Sequence, residues 1–261
     1  MKDDLRDANL LWFEIGRQAQ ETASREPFLR PLLHEAVLTH ATPAKVVASV
    51  LARRLGDGRL RALVVDTLRA DPDVLGCLEA DLRAVTARDP ACRSALHALL
   101  HFKGFHALQA HRIAHSLWRH AREDVAHWLS SHVSVTLGVD IHPAVPVGRG
   151  VMLDHATGIV VGETAVVEDD VVILHGVTLG ATGKRGGDRH PKVRRGALLG
   201  AGASVLGNIE VGRMSKVGAG SVVVDDVPPH ATVAGVPARV VRAAPPRALA
   251  AVPARLASAG A

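Results

Sequence analysis

His155 stands in the run Asp154-His155-Ala156-Thr157-Gly158, with Asp140 fifteen positions upstream. A carboxylate that holds one imidazole nitrogen fixes the tautomer and leaves the other nitrogen free to take a proton, so Asp140 and His155 are candidates for a general-base dyad. The same residues read equally well as an exposed acid and imidazole on a polar surface. Arg189 and His190 close a glycine-rich run, GATGKRGGDRHP from Gly180 to Pro191. A cation beside a titratable ring suits a substrate carboxylate, and a solvated loop pair has the same sequence signature. Lys184 and Lys216 are candidates for phosphate contact, although isolated lysines are usually just solvated. Gly180-Ala181-Thr182-Gly183-Lys184 lacks the spacing of a phosphate-binding P-loop. Asp89, before Pro90, reads first as a helix N-cap.

The elements that must position these residues follow from two different periods. From Ile141 an aliphatic residue recurs every sixth position: Ile141, Val147, Leu153 and Ile159, then after a two-residue shift Val161, Val167, Ile173 and Leu179. The beat lapses over the glycine-rich run and returns at Val193, Leu199, Val205, Val211, Val217 and Val223. Gly148, Gly162, Gly180, Gly200, Gly212 and Gly218 often follow, as expected if each corner needs a residue free to take unusual φ. Units this short cannot bury themselves, so successive coils must stack and share a core. The expectation is a parallel β-helix starting near Val135, in which residues about eighteen apart lie over one another. The shift at Asp154–Gly158 and the excursion from Gly180 to Pro191 are its two irregularities, and irregular loops on a regular solenoid are where function is usually placed.

Before the β-helix the pattern is helical. Thr42-Pro43, Asp71-Pro72 and Asp89-Pro90 each read as a cap with proline at the first helical position, and Gly56 reads as a stop. Gly104 reads as an interruption, after which Phe105, Leu108, Ala110, Ile113 and Leu117 resume a helix. The expected fold class is therefore α+β, with an all-α domain over 1–134, the β-helix over 135–240 and a flexible Ala/Pro-rich tail over 241–261.

Hydrophobic residues make up 48% of the 261 positions and charged ones 22%, which excludes a disordered chain. The net charge of +5 is scattered, and aromatics are only 3%. With so few rings to stack on bases, no nucleic-acid partner is expected. Cys77 and Cys92 are in no CxxC pair and are expected as reduced, buried thiols. No run reaches the roughly 20 apolar residues of a membrane span, and no signal peptide is visible, so the expected location is the cytoplasm.

The segments RDPA (Arg88–Ala91), KGFHALQAHRIAH (Lys103–His115), VDIHP, GRGVMLDHATGIVVGETA, VTLGATGK, GGDRHPK, LGAGASVLGNIEVG, KVGAGSVV and GVPAR together resemble the serine acetyltransferases. The resemblance implies a left-handed β-helix and acetyl transfer from acetyl-CoA to L-serine in a ternary complex, the first step of cysteine biosynthesis. It implies His155 as the base and Asp140 as its orienting group. Asp89 and Asp154 would hold the substrate amine, and Arg189 and His190 its carboxylate. Ala181, Thr182 and Lys216 would contact the coenzyme, with Ala181 standing where the family usually has glycine. No metal is implied. L-cysteine is implied as a feedback inhibitor, and a homo-oligomer, either a trimer or a dimer of trimers joined by the helical domain, as the assembly. Many relatives enter O-acetylserine sulfhydrylase through a terminal isoleucine, which this chain replaces with Ala261. Three other readings stand beside this one. They are another hydroxyl acceptor such as homoserine or a sugar, a zinc hydratase resembling the γ carbonic anhydrases and using three of His142, His155, His175 and His190, and a non-catalytic scaffold.

Overall fold

The structure, a computed structural model, describes residues 2–183 and 186–243. Lys184, most of the Ala/Pro-rich tail and Ala261 lie outside the described residues, and with them the expectations placed there.

Eight α-helices come first: α1 (Lys2–Arg25), α2 (Arg30–Leu33), α3 (Pro43–Leu55), α4 (Leu60–Ala70), α5 (Asp73–Arg88), α6 (Ala95–His101), α7 (Lys103–Arg119) and α8 (Glu123–Leu137). A π-helical turn, His34–Leu38, continues α2. Helix α3 forms as its end residues dictate. The Thr42 hydroxyl accepts from the Lys45 N–H, Pro43 opens the first turn and Gly56, at φ 73°, closes the last.

The other expected caps shift. Asp71 does not cap α5, which starts after Pro72; its carboxylate accepts the Ser116 hydroxyl at 2.9 Å. Asp89 ends α5 instead of opening α6, because the following proline holds it extended, at φ −94° and ψ 108°. The N-cap of α6 is Ser94, whose hydroxyl accepts the His97 N–H at 3.2 Å. Gly104 lies inside α7, and the break falls two residues earlier at Phe102. Val135 belongs to the last turn of α8, so the β-helix begins at Val139, four residues later than expected. Cys77 and Cys92 are free but only half-buried, and burial pushes the Cys77 thiol up.

From Val139 the chain winds a left-handed parallel β-helix of three flat faces. The first face stacks β1 (Val139–Ile141), β3 (Ile159–Val161), β6 (Thr178–Gly180), β9 (Ser204–Leu206) and β12 (Val222–Val223). The second stacks β4 (Val166–Val167), β7 (Lys192–Val193) and β10 (Glu210–Val211). The third stacks β2 (Met152–Asp154), β5 (Val172–Leu174), β8 (Leu198–Leu199), β11 (Lys216–Val217) and β13 (Thr232–Gly235), closed by the antiparallel β14 (Ala238–Arg242). Every residue of the six-residue beat is buried except Val147, which is half-buried. A second inward set, two positions earlier, completes the core: Val145, Val151, Ala165, Val171, Val177, Ala197 and Ala203.

The glycines after the beat serve a different purpose from the one expected. They are not in the left-handed region. At Gly148, Gly200 and Gly212 the next coil passes too close for a side chain: a Cβ on Gly148 would meet the Asp169 backbone nitrogen at 2.4 Å, one on Gly200 the Ala219 nitrogen at 2.6 Å and one on Gly212 the Pro229 nitrogen at 2.5 Å.

A solenoid leaves the backbone groups of its first coil without partners, and buried orphan groups of that kind are costly. Three helices supply the partners here. Ser130 Oγ donates to the Ile141 carbonyl at 2.7 Å, His115 Nδ1 to Pro143 at 2.8 Å and His111 Nε2 to Val145 at 3.0 Å. Arg112 donates to the carbonyls of Val147 at 3.0 Å and Gly148 at 2.5 Å, and Arg88 to that of Gly150 at 2.8 Å. The Val151 N–H donates to Asp81 Oδ1 at 3.0 Å. Asp81 is fully buried and holds Arg112 through two further bonds, at 2.7 and 2.9 Å, while Gln109 donates to it at 3.0 Å. Burial raises the Asp81 carboxyl above the usual carboxylate range, and Arg112, Gln109 and the Val151 N–H oppose the rise.

His111 and His106 are buried imidazoles that each donate through Nε2 to a carbonyl, His106 to that of Leu99 at 2.7 Å. Burial lowers His106 from 6.5 to about 4 and His111 to about 3. A depressed imidazole means that the unfolded chain takes its proton first, so stability is complete above about pH 6.5 and falls as pH drops toward the folded values. Urea unfolding between pH 7 and pH 5 is expected to show this fall, at up to about 1.4 kcal/mol per pH unit for each group. The slope is expected to be shallower in His106→Gln or His111→Gln, and a flat profile in the parent would contradict the assignment.

Candidate active site

The turn that carries His155 is the widened corner of the first coil. Asp140 pairs with Val160, twenty residues on, whereas Val160 pairs with Thr178 after eighteen. The extra length is taken up between β2 and β3, where His155, Ala156 and Gly158 lie at φ 55°, 63° and 76°. Left-handed backbone at a non-glycine residue costs about 1–3 kcal/mol, so the surroundings must hold this turn. Ala156 is buried, the Thr157 N–H donates to the His155 carbonyl at 2.9 Å and the Gly158 N–H to that of Gly138 at 2.7 Å. The His155 side chain is 77% exposed, with Nε2 3.9 Å from Asp154 Oδ1. Its ring meets that of His175, one coil on, edge to face at 5.7 Å.

Asp140 is exposed on the outer surface of β1. The twenty-residue coil stacks it on Val160, beside and not beneath the His155 corner. Among the described residues no hydrogen bond joins Asp140 to His155.

Arg189 and His190 lie at the opposite edge of the first face, where the excursion re-enters the second. Thr164 organises them. Its hydroxyl accepts the N–H of Arg189 at 3.0 Å and of His190 at 3.1 Å, and its own N–H donates to His190 Nδ1 at 3.2 Å. Nδ1 is therefore the acceptor and Nε2 carries the ring proton. Lys192 secures the end of the excursion by donating to the Thr164 carbonyl at 2.6 Å and to Asp188 at 2.5 Å. Arg189 pairs with Glu163 at 2.6 Å, which holds the Glu163 carboxyl below the usual range. Burial first, and then the Arg189 cation, lowers the His190 pKa. His142 shares this corner, packed against His127 and Trp118.

Asp89 is fixed by its neighbour. Arg88 donates to the Gly150 carbonyl and, at 2.7 Å, to Asp170, tying the end of α5 to the coils, while Asp89 itself accepts the Ala91 N–H at 2.8 Å. Of the expected coenzyme residues, Ala181 and Thr182 begin the excursion beside Gly207, and Lys216 lies on the third face, across the prism from them. The four imidazoles of the zinc reading divide between two corners. Among the described residues no group of three or more His, Cys, Asp or Glu is placed to hold a metal ion.

One chain thus brings together Asp154 with His155, and Arg189 with His190, but puts the pairs at opposite edges of one face. None of the described cavities, of about 420, 470, 390 and 10 Å³, is lined by His155, Arg189 or His190. Glu163, Thr164, Arg88, Lys103 and Thr157 all build the site and were missed. Each lies within or beside a motif, but only the coil register shows what it touches. No helix among the described residues is long and apolar enough to cross a membrane.

A hexapeptide prism with an exposed imidazole at one corner and an Arg-His pair at the next fits an acyltransferase of the hexapeptide-repeat class. Residues 11–110 match the family model described as "Serine acetyltransferase, N-terminal". The serine acetyltransferase of Escherichia coli strain K12 is 51% identical, over 90% of this chain and 88% of its own. The Brucella abortus strain S19 serine acetyltransferase in complex with coenzyme A superposes with a TM-score of 0.87 at 48% identity, covering 89% of this chain and 95% of that one. A serine acetyltransferase in complex with cysteine superposes at 0.86 and 48% identity, covering 88% of this chain and 98% of that one. The chain belongs to the serine acetyltransferase family.

A Cβ on Gly162 would stand 2.0 Å from His190 Nε2. Gly162→Ala is expected to push the ring off its seat and to raise the KM for serine by about tenfold or more, the scale of one lost hydrogen bond to a charged group. An unchanged KM in steady-state kinetics would separate His190 from the substrate carboxylate.

Proposed function

We propose that His155 is the general base of this serine O-acetyltransferase, acting on a serine held between two copies of the chain. The enzyme transfers the acetyl group of acetyl-CoA to the hydroxyl of L-serine, giving O-acetyl-L-serine and CoA, the first step of cysteine biosynthesis. In the ternary complex the imidazole takes the hydroxyl proton as the oxygen attacks the thioester carbonyl carbon. The tetrahedral intermediate then expels the CoA thiolate, which recovers the proton from the imidazolium. Asp140 orients the ring. Asp89 and Asp154 receive the serine ammonium, and Arg189 and His190 its carboxylate. Backbone N–H groups near Ala181 and Thr182 support the oxyanion, and Lys216 the coenzyme.

The observation that carries this reading is the division of the site. His155 and His190 flank one face at opposite edges, so a single small substrate reaches both only if a neighbouring prism brings its own Arg189-His190 corner to this His155. That favours a trimer with the coenzyme in the clefts, and the helical domain is then available to join two trimers. L-cysteine, which shares the amine and carboxylate of serine, is the inhibitor the same contacts would hold. The cytoplasm is the proposed location, in keeping with two free thiols.

Two measurements test this. His155→Asn is expected to lower kcat by roughly 10²-fold or more, the scale of a lost general base, with coenzyme binding retained; near-normal turnover would remove His155 from the role. A CoA-release assay offered L-serine, homoserine and a galactoside is expected to respond to L-serine alone, and equal turnover of another acceptor would overturn the assignment.

A further inference from the structure

We propose that the first turn of α7, Lys103 and Gly104, is the positioning element that sets the His155 turn. This rests on the role given to His155 above. The contact is unusually close. A Cβ on Gly104 would lie 1.9 Å from the Leu153 carbonyl oxygen, 2.9 Å from its carbon and 3.2 Å from the Ala156 methyl. Only a bare helix backbone fits beneath this corner. One residue earlier, the Lys103 ammonium donates to the Thr157 hydroxyl. The helix therefore holds the chain two residues before His155 and one and two residues after it. The imidazole itself projects into solvent, with Asp154 and His175 beside it.

The backbone at this corner needs such a hold, since His155 and Ala156 are consecutive left-handed non-glycine residues. Helix α7 can provide it because the rest of its length is fastened to the same coil through His111, Arg112 and His115. The direction of the base is thus set by packing from below, with the ring left free for the reaction.

Gly104→Ala is expected to lower kcat by about 10²-fold, as for a reacting group displaced by about an ångström, while the KM for acetyl-CoA stays within about twofold. Lys103→Met is expected to lower kcat less, and Lys103→Arg, which keeps a donor, to restore most of it. A folded Gly104→Ala enzyme with the parent kcat, or one that loses only coenzyme affinity, overturns the proposal. Where Gly104→Ala does not fold, Lys103→Met decides, and parent-like turnover in that variant overturns it. Amide exchange separates this proposal from the acetyltransferase reading. The Thr157 and Gly158 amides of Lys103→Met are expected to exchange at least about tenfold faster than in the parent, whether or not serine is the acceptor. Unchanged exchange there sinks the clamp, whereas a parent chain without serine turnover sinks only the reading of the reaction.

Discussion

The buried ion pair between Asp81 and Arg112 is the interaction on which the remaining architecture depends. Stacked coils satisfy one another, but the first coil has no coil beneath it, and its polar edge must be met by something else. Asp81 and Arg112, 0% and 6% exposed, stand at the centre of that edge and divide their bonds between each other and the coil backbone. His115, His111 and Ser130 extend the same arrangement along alternate carbonyls, from Pro143 and Val145 back to Ile141. A buried pair bonded only to itself adds little net stability over an apolar substitute, but this one also meets the coil backbone, and losing one partner leaves the other charge uncompensated. Its contribution is to specify where the helical layer sits on the prism.

That placement reaches the chemistry through α7. The helix that carries Arg112 also carries Gly104 under the His155 corner, so the coil edge and the proposed base are held by one rigid element. The second half of the site is organised differently, within the coils. Thr164, Glu163 and Lys192 gather Arg189 and His190 from the end of a long excursion and tie them to the neighbouring coil. One half of the site is thus set by helix packing and the other by coil register, and the two halves lie at separate edges of one face, with the His155 ring exposed and the His190 ring buried.

Much of this was legible in the residue pattern. The six-residue beat marks inward positions because each flat strand turns one side chain to the core, and the lapse at Gly180–Pro191 marks the excursion. The inward positions two residues earlier were harder to see, since they mix Val145 and Val177 with Ala197, Ala203 and Ser215, small residues that no hydropathy pattern separates from a loop. The glycines following the beat looked like corner residues with unusual φ, because sequence carries no information on how closely another coil passes. The two caps that shifted did so for separate reasons: the Asp71 carboxylate is taken by the Ser116 hydroxyl, and Asp89 is held extended by the proline that follows it. His111 and His115 sit in a motif read only for its family likeness. Their work, donating to carbonyls of the first coil, is a tertiary fact. The distance between His155 and Asp140 was judged from an eighteen-residue coil, and the first coil has twenty.

The most direct test of the dependence on Asp81 and Arg112 is urea unfolding of Arg112→Leu beside the double variant Asp81→Leu with Arg112→Leu. Arg112→Leu alone is expected to lose about 3–5 kcal/mol, as when one partner of a buried pair is removed. The double variant is expected to stay well below the parent, because the Val147 and Gly148 carbonyls and the Val151 N–H still lack partners. Recovery of the double variant to the stability of the parent would contradict the account, since the pair would then serve only to neutralise itself.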